Sequence, residues 1–251
     1  MIDININVPL KIYFYDTVDS TNNICKVLSQ SGEDSALVIA DFQTAGKGRL
    51  GRSFFSPKST GIYMSLLLRP DFSTEQITLI TTAAAVAVAD AIDNVCNQNT
   101  LIKWVNDIYI KDKKVCGILC EAGFSSSNNS SNYVVLGIGI NLFAPKNSFP
   151  DDIKNKAGSI FSNLSQCTDI KERLIEKIVK NFMEIYEKLP CKEYMNKYRQ
   201  KSFLIGKSVA FYKDTQRFTG IVQDINDNAE IIIKTKDETI NLFAGEVSLE
   251  I

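Results

Sequence analysis

Between positions 41 and 52 the sequence reads DFQTAGKGRLGR, with Gly46, Gly48 and Gly51 interleaved with Lys47, Arg49 and Arg52. Glycine reaches positive φ at little cost and lets a backbone approach a ligand closely. Successive amides in such a turn can form a nest for an anion, and arginine adds planar, bidentate contacts to phosphate. A loop of this composition, entered from the apolar run 36–42, suits a small and strongly anionic ligand. A flexible, solvated basic turn fits the same residues, and the loop alone does not separate the two. A Walker A loop is excluded, because GxxxxGK[ST] needs glycine at 41 and serine or threonine at 48, where this chain has Asp41 and Gly48.

Composition narrows the chemistry further. The chain has no histidine, which removes Ser-His-Asp and Cys-His machinery and every histidine-ligated metal site. Proton transfer falls to Lys, Tyr, Asp, Glu or solvent. Net charge is −1, so no global field draws the chain to nucleic acid or an anionic membrane, and the useful cations must be gathered locally. The 251 residues, 45% apolar and 23% charged, suit one large globular domain or a main domain with a small appendage. Six scattered cysteines (25, 96, 116, 120, 167, 191) form no disulfide framework. Cys116 and Cys120 lie in a strand-like run that separates them by about 13 Å, too far to share a zinc ion, and read as core thiols. The N-terminal residues 1–11 carry no signal peptide pattern, and the apolar window 77–89 is too short to span a bilayer, so a cytoplasmic protein with reduced thiols is expected.

The elements that must position the loop read as follows. Residues 11–15 form a strand, and the polar run 16–22 precedes a helix suggested by Ile24, Val27 and Leu28. Ser20 and Thr21 could cap that helix or face a ligand with a neutral polar group. After the glycine loop, 61–68 (GIYMSLLL) is a buried strand, and Ser73 to Gln76 fits a capping box that opens a helix running to about Cys96. Residues 101–123 read as strand, Asn106-Asp107 break, strand, a charged hairpin turn at 111–114, then strand. Trp104 reads as core, and 125–132 as a low-complexity polar loop. In the strand 133–142 (YVVLGIGINL), Gly137 and Gly139 fall on one face and leave room for a backbone or a flat ligand. An amphipathic helix over 169–189 stops at Pro190, and a shorter helix runs through Arg199. From Gly206 the texture changes to short strands with tight polar turns, enough for a small barrel that leans on the main domain. Two domains are expected, 1–205 and 206–251.

Four blocks in order, DSTN (19–22), GKGRLGR after Gln43, KWVND (103–107) with KKVCGILCE (113–121), and GIGIN (137–141), resemble the biotin–protein ligases. The Phe149-Pro150 pair and the C-terminal texture also fit, so the resemblance spans nearly the whole chain. It implies an α+β fold, a mixed β-sheet catalytic domain backed by helices with a small SH3-like β-barrel at the C-terminus. It implies ATP-dependent formation of biotinyl-5'-AMP and transfer of biotin to a lysine of a carboxyl carrier domain, from acetyl-CoA carboxylase or a related carboxylase. By the same resemblance Ser20, Thr21 and Gln43 hold the ureido ring, with Asn22, Lys47, Gly48, Arg49, Lys114 and Gly117 completing the biotin site. Gly46, Lys47, Arg49, Arg52, Asn106 and Asn141 meet the nucleotide, Asp107 touches Mg²⁺, and Arg49 and Lys114 carry the catalytic charge. Two positions depart from the family pattern, which usually has arginine at Lys47 and proline at Val105. Some relatives carry an N-terminal DNA-binding domain; its absence here implies a ligase without operator binding. Relatives include monomers and dimers, so a homodimer is open.

Two rivals remain at this point. A lipoate–protein ligase shares the chemistry but wants a more apolar ring pocket than Ser20, Thr21 and Gln43 offer. A non-catalytic biotin sensor, or a nucleic-acid module using the basic loop, belongs to another class. One cation cluster at near-neutral charge argues against the nucleic-acid version, and retention of Arg49 and Lys114 argues against a sensor.

Overall fold

A computed structural model of the chain describes residues 8, 10–70, 77–124, 132–162, 169–213 and 216–250. The capping box at 73–76, most of the polar loop at 125–132 and Cys167 lie outside the described residues.

A seven-stranded mixed sheet carries the larger part of the chain. Its strands are β1 (Lys11–Val18), β2 (Ala36–Gln43), β3 (Gly61–Leu68), β4 (Thr100–Lys103), β5 (Asp107–Ile110), β6 (Lys113–Phe124) and β7 (Asn132–Asn141). They run in the order β1-β2-β3-β7-β6-β5-β4, with only β1 and β2 parallel and the rest antiparallel. Helix α1 (Thr21–Gln30) lies on one face; α2 (Ile77–Cys96) and α3 (Ile170–Tyr186) cover the other. The two-residue period of a strand divides the side chains between these faces. Ala36 and Val38 pack with Cys25 of α1, whereas Leu37 and Ile39 join the main core. This double burial is why GIYMSLLL shows no polar alternation: all eight residues of β3 are buried.

Small side chains in α2, residues 83–89, are at most 1% exposed and let the helix pack closely on the sheet and on α3. The helix is longer than the apolar window read from sequence. By length and composition Thr78–Cys96 would cross a membrane, but 78% of that window is buried inside the protein, as a core helix requires.

Beyond α4 (Tyr194–Gln200) come β8 (Ser208–Lys213), β9 (Gln216–Ile225), β10 (Ile231–Lys234), β11 (Thr239–Leu242) and β12 (Val247–Leu249). They form a separate antiparallel sheet in the order β11-β10-β9-β8-β12, in keeping with a small SH3-like unit. Trp104 is core, 4% exposed, and its indole N–H donates to the Ala229 carbonyl at 2.8 Å, tying this unit to the large sheet.

Two sequence expectations need correction. Ile110 pairs with Lys113, so the hairpin turn is only Lys111-Asp112, with Lys111 left-handed at φ 55°. Lys113 and Lys114 therefore belong to β6, which fixes Lys114 on the sheet rather than in a solvated turn. Ser20 occupies the N-cap position of α1 but makes no side-chain capping bond, and Thr21 is already helical.

Candidate functional site

The face of the sheet that carries α1 is also the face on which the site residues gather. At the start of α1, Ser20, Thr21 and Asn22 are each 2–3% exposed. Gln43, the last residue of β2, accepts from the Thr21 backbone N–H at 2.8 Å and from its hydroxyl at 3.1 Å. Gln43 Nε2 in turn donates to Ser56 Oγ at 2.9 Å. From β3, Ser65 Oγ lies 2.7 Å from Thr21 Oγ1 and 2.6 Å from Asn22 Oδ1. Asn22 Nδ2 donates to Glu121 of β6 at 2.8 Å, and Lys26 holds the other carboxylate oxygen at 2.6 Å. Burial raises the affinity of Glu121 for a proton, but the Lys26 and Asn22 bonds outweigh it and hold the carboxyl below the ordinary glutamate value.

Three glycines make room for this layer. A Cβ on Gly137 would sit 2.2 Å from Asn22 Oδ1, and one on Gly139 would sit 2.5 Å from the Phe54 ring. Gly117, directly opposite Gly139 on β6, lies beneath Phe54 and Lys114. The space expected for a backbone or a flat ligand is thus occupied by an amide side chain and an aromatic ring. Phe54 follows from the glycine loop, so the loop's own aromatic residue rests on the sheet.

The loop is closed by a Lys47–Ser53 bridge and by Gly48 N–H donating to the Arg52 carbonyl at 2.7 Å. A short 3₁₀ turn, Arg49–Gly51, places Leu50 at φ 55° and Gly51 at φ 74°, and leaves Leu50 71% exposed. A left-handed leucine is a strained choice that only glycine makes cheaply, and such strain concentrates at ligand clamps. Gly46 has no room for a Cβ, which would meet the Phe54 carbonyl at 2.4 Å. Lys47 Nζ donates to Asn23 Oδ1 of α1 at 2.5 Å. Arg49 reaches the other way, to Asn106 Oδ1 at 3.0 Å and the Gly245 carbonyl at 3.2 Å. Arg52 forks onto Glu246, at 3.0 and 2.5 Å. Hydrogen bonding to Arg52 holds the Glu246 carboxyl below its usual range.

Asn106 is fixed by its own amide donating to the Ile118 carbonyl at 2.8 Å. Beside it, Lys114 Nζ lies 2.7 Å from Asp107 Oδ1, an ion pair in which that buried oxygen has no aligned hydrogen bond. Lys103 faces Asp107 across the β4–β5 pair; burial lowers its proton affinity, opposed by Asp107 and Glu246. Asn141 stands at the end of β7 and donates to the Gly158 carbonyl at 3.0 Å, which anchors the following loop. Between loop residues 47–52 and the β6 side chains Leu119 and Glu121 lies an open cleft of about 380 Å³.

The expected residues therefore fall into two adjoining groups on one face. One is a neutral polar group of Thr21, Asn22 and Gln43 with Ser20 beside it; the other is a charged group of the glycine loop, Asn106, Asp107 and Lys114. Asn141 joins neither through a side-chain bond and holds the loop behind them. Phe54, Ser65, Glu121 and Glu246 were not picked out from sequence. The lone serine inside GIYMSLLL and the lone carboxylate ending VCGILCE were the available signals for Ser65 and Glu121, since a polar group in a buried strand needs a partner.

The sequence model of the biotin/lipoate A/B protein ligase family matches residues 14–141, a span that contains both groups. The chain belongs to that family. Among relatives of this biotin/lipoate ligase-family chain, the bifunctional ligase/repressor BirA of Bacillus subtilis is 30% identical over 247 residues, 95% of this chain and 74% of the relative. The biotin–[acetyl-CoA-carboxylase] ligase of Mycobacterium tuberculosis is 27% identical over 232 residues, 89% of this chain and 82% of that one. A solved structure of the biotin protein ligase from Aquifex aeolicus in complex with biotin and ATP superposes with a TM-score of 0.75 at 26% identity, covering 96% and 98% of the two chains.

Proposed function

We propose that this chain is an ATP-dependent biotin–protein ligase. The observation that carries the reading is the adjacency, on one sheet face, of a buried neutral polar group to a glycine loop bearing three cations. Biotin has the matching two ends, a neutral ureido ring and a carboxylate. In the first half-reaction the biotin carboxylate oxygen attacks the α-phosphorus of ATP; that P–O bond forms, the bond to the β-phosphate breaks, and pyrophosphate leaves. Two anions must meet, so the residues that matter are those that favour the developing charge. Arg49 and Lys114 fill that role, with Lys47 and the Gly46 amide at the loop. Ser20, Thr21, Asn22 and Gln43 hold the ring, and Gly117 leaves room for Lys114 and Phe54 to lie against the sheet beside it.

In the second half-reaction a lysine amine of a carrier domain attacks the acyl carbon, a C–N bond forms, and AMP leaves with the anhydride oxygen. The ammonium proton passes to solvent or to a nearby carboxylate, since the chain has no histidine to take it. Closure of the loop around Leu50 keeps water from the mixed anhydride.

Asn106 and Asn141 orient the nucleotide. Asp107 fits magnesium that arrives with ATP, because magnesium is commonly held by one or two carboxylates together with substrate phosphates. The buried Asp107 oxygen without an aligned hydrogen bond is the group that would take it, in exchange for Lys114. The ion would supply charge neutralisation at the phosphates. We take 1–205 as the catalytic domain and 206–251 as a second domain that backs the glycine loop, in a cytoplasmic protein whose acceptor is a carboxylase carrier domain. The test is peptide mass mapping of a purified carrier domain after incubation with chain, biotin and Mg-ATP. Biotin on one carrier lysine is expected; a carrier left unmodified while ATP is consumed contradicts the transfer step.

A further inference from the structure

The polar group under α1 is a hydrogen-bond chain whose direction is imposed from both ends. At one end the Phe54 carbonyl can only accept, so Ser56 O–H points to it at 2.9 Å. Ser56 Oγ then accepts from Gln43 Nε2, which turns Gln43 Oε1 toward Thr21, where it takes both the N–H and the O–H. At the other end Glu121, paired with Lys26, is acceptor-only when ionised. It draws Asn22 Nδ2 toward itself, so Asn22 Oδ1 must face Ser65, whose single proton is shared between Asn22 Oδ1 and Thr21 Oγ1. A flipped Asn22 amide would set oxygen against the carboxylate. The Thr21 and Ser65 hydroxyl protons and one N–H of each amide are thus used inside the chain, and Thr21 takes both lone pairs of Gln43 Oε1. The acceptor lone pairs left for a ligand are on Asn22 Oδ1 and Thr21 Oγ1, with the second N–H of Asn22 and of Gln43 beside them. Ser20, which makes no capping bond, is the neighbouring hydroxyl able to serve a ligand carbonyl.

We propose that Glu121 is a positioning residue that sets the donor–acceptor polarity of the ring site, through Asn22 and Ser65, so that the site selects a ring presenting N–H donors. This rests on the biotin reading, since a ureido ring presents two N–H groups flanking one carbonyl, whereas a dithiolane presents none. Glu121 lines the cleft with Leu119 and is bonded to Asn22, so its action on the ring site runs through Asn22 rather than on the reacting atoms. Its alternative role is structural, as an ion pair that ties α1 to β6.

The two roles separate kinetically. Pyrophosphate release by the full chain is followed against biotin concentration for the parent, Glu121→Gln, Ser65→Ala and the double variant, with Tm recorded for each. Loss of ring-site polarity raises KM for biotin about tenfold in each single variant, with kcat at saturating biotin within about threefold. Because the chain acts as a unit, the double variant also shows about a tenfold rise rather than about a hundredfold. Single variants with the parent's KM overturn the proposal, as do independent, multiplicative losses or a lowered Tm with KM unchanged. Ser65→Ala keeps the test decisive if Glu121→Gln does not fold. A parent that releases no pyrophosphate with biotin overturns the ligase reading and this proposal together; a working parent matched by its variants overturns this proposal alone.

Discussion

Residue by residue, charge in this site is held on short leashes. Arg49 is bonded to Asn106 and to the Gly245 carbonyl, and Lys114 sits on Asp107. Each cation therefore has a partner to leave when an anion arrives, which keeps a cluster of cations tolerable before substrate binds. If Arg49 closes over the adenylate, Arg49→Gly should leak biotinyl-AMP and modify bystander proteins. Streptavidin blotting of a mixed-protein reaction checks this: a smear of labelled bystanders is expected, and labelling confined to the carrier domain contradicts it. The types and spacing of these cations were legible in sequence, because no other stretch packs three cations among three glycines. What each side chain touches was not. Arg52, expected at the nucleotide, is engaged by a carboxylate 194 residues away, a partner no local pattern could indicate.

At the level of elements, glycine positions govern how closely α1 and Phe54 approach the sheet. Gly137 and Gly139 were visible as same-face glycines because strand periodicity is strict, yet what fills the space depends on how α1 crosses β7. The Lys111-Asp112 turn shows the opposite failure: four charged residues look like one solvated turn, but pairing of Ile110 with Lys113 draws two of them into β6. Gly137→Ala would bring a methyl to 2.2 Å from Asn22 Oδ1. Overpacking of this kind costs about 1–3 kcal/mol, so the variant should melt several degrees lower and bind biotin more weakly. Calorimetric melting and biotin titration test it; a parent-like Tm and affinity would show that α1 yields without cost.

For the whole molecule, the turn between β11 and β12 grips both arginines of the glycine loop, through the Gly245 carbonyl and the Glu246 carboxylate. The change of texture at Gly206 announced a second sheet, and turn residues fixed its strand breaks; nothing in that texture announced a clasp onto residues 49–52. The Arg52–Glu246 pair is exposed, and exposed pairs add little to stability. Its effect belongs in loop placement. Arg52→Glu and Glu246→Arg should each weaken adenylation severalfold at an unchanged Tm, and the charge-swapped double variant should recover most of the loss. Failure of the swap to recover, with both single variants impaired, would assign Arg52 to the nucleotide instead.

The central claim is that one sheet face joins a neutral ring site to an anion site for carboxylate activation. The most direct measurement is pyrophosphate release from Mg-ATP with biotin, lipoate or octanoate and no acceptor protein. A burst of about one equivalent per active site with biotin alone is the predicted result, since the adenylate stays bound. A burst with lipoate instead would contradict the polar ring site, and silence with every acid would contradict activation altogether.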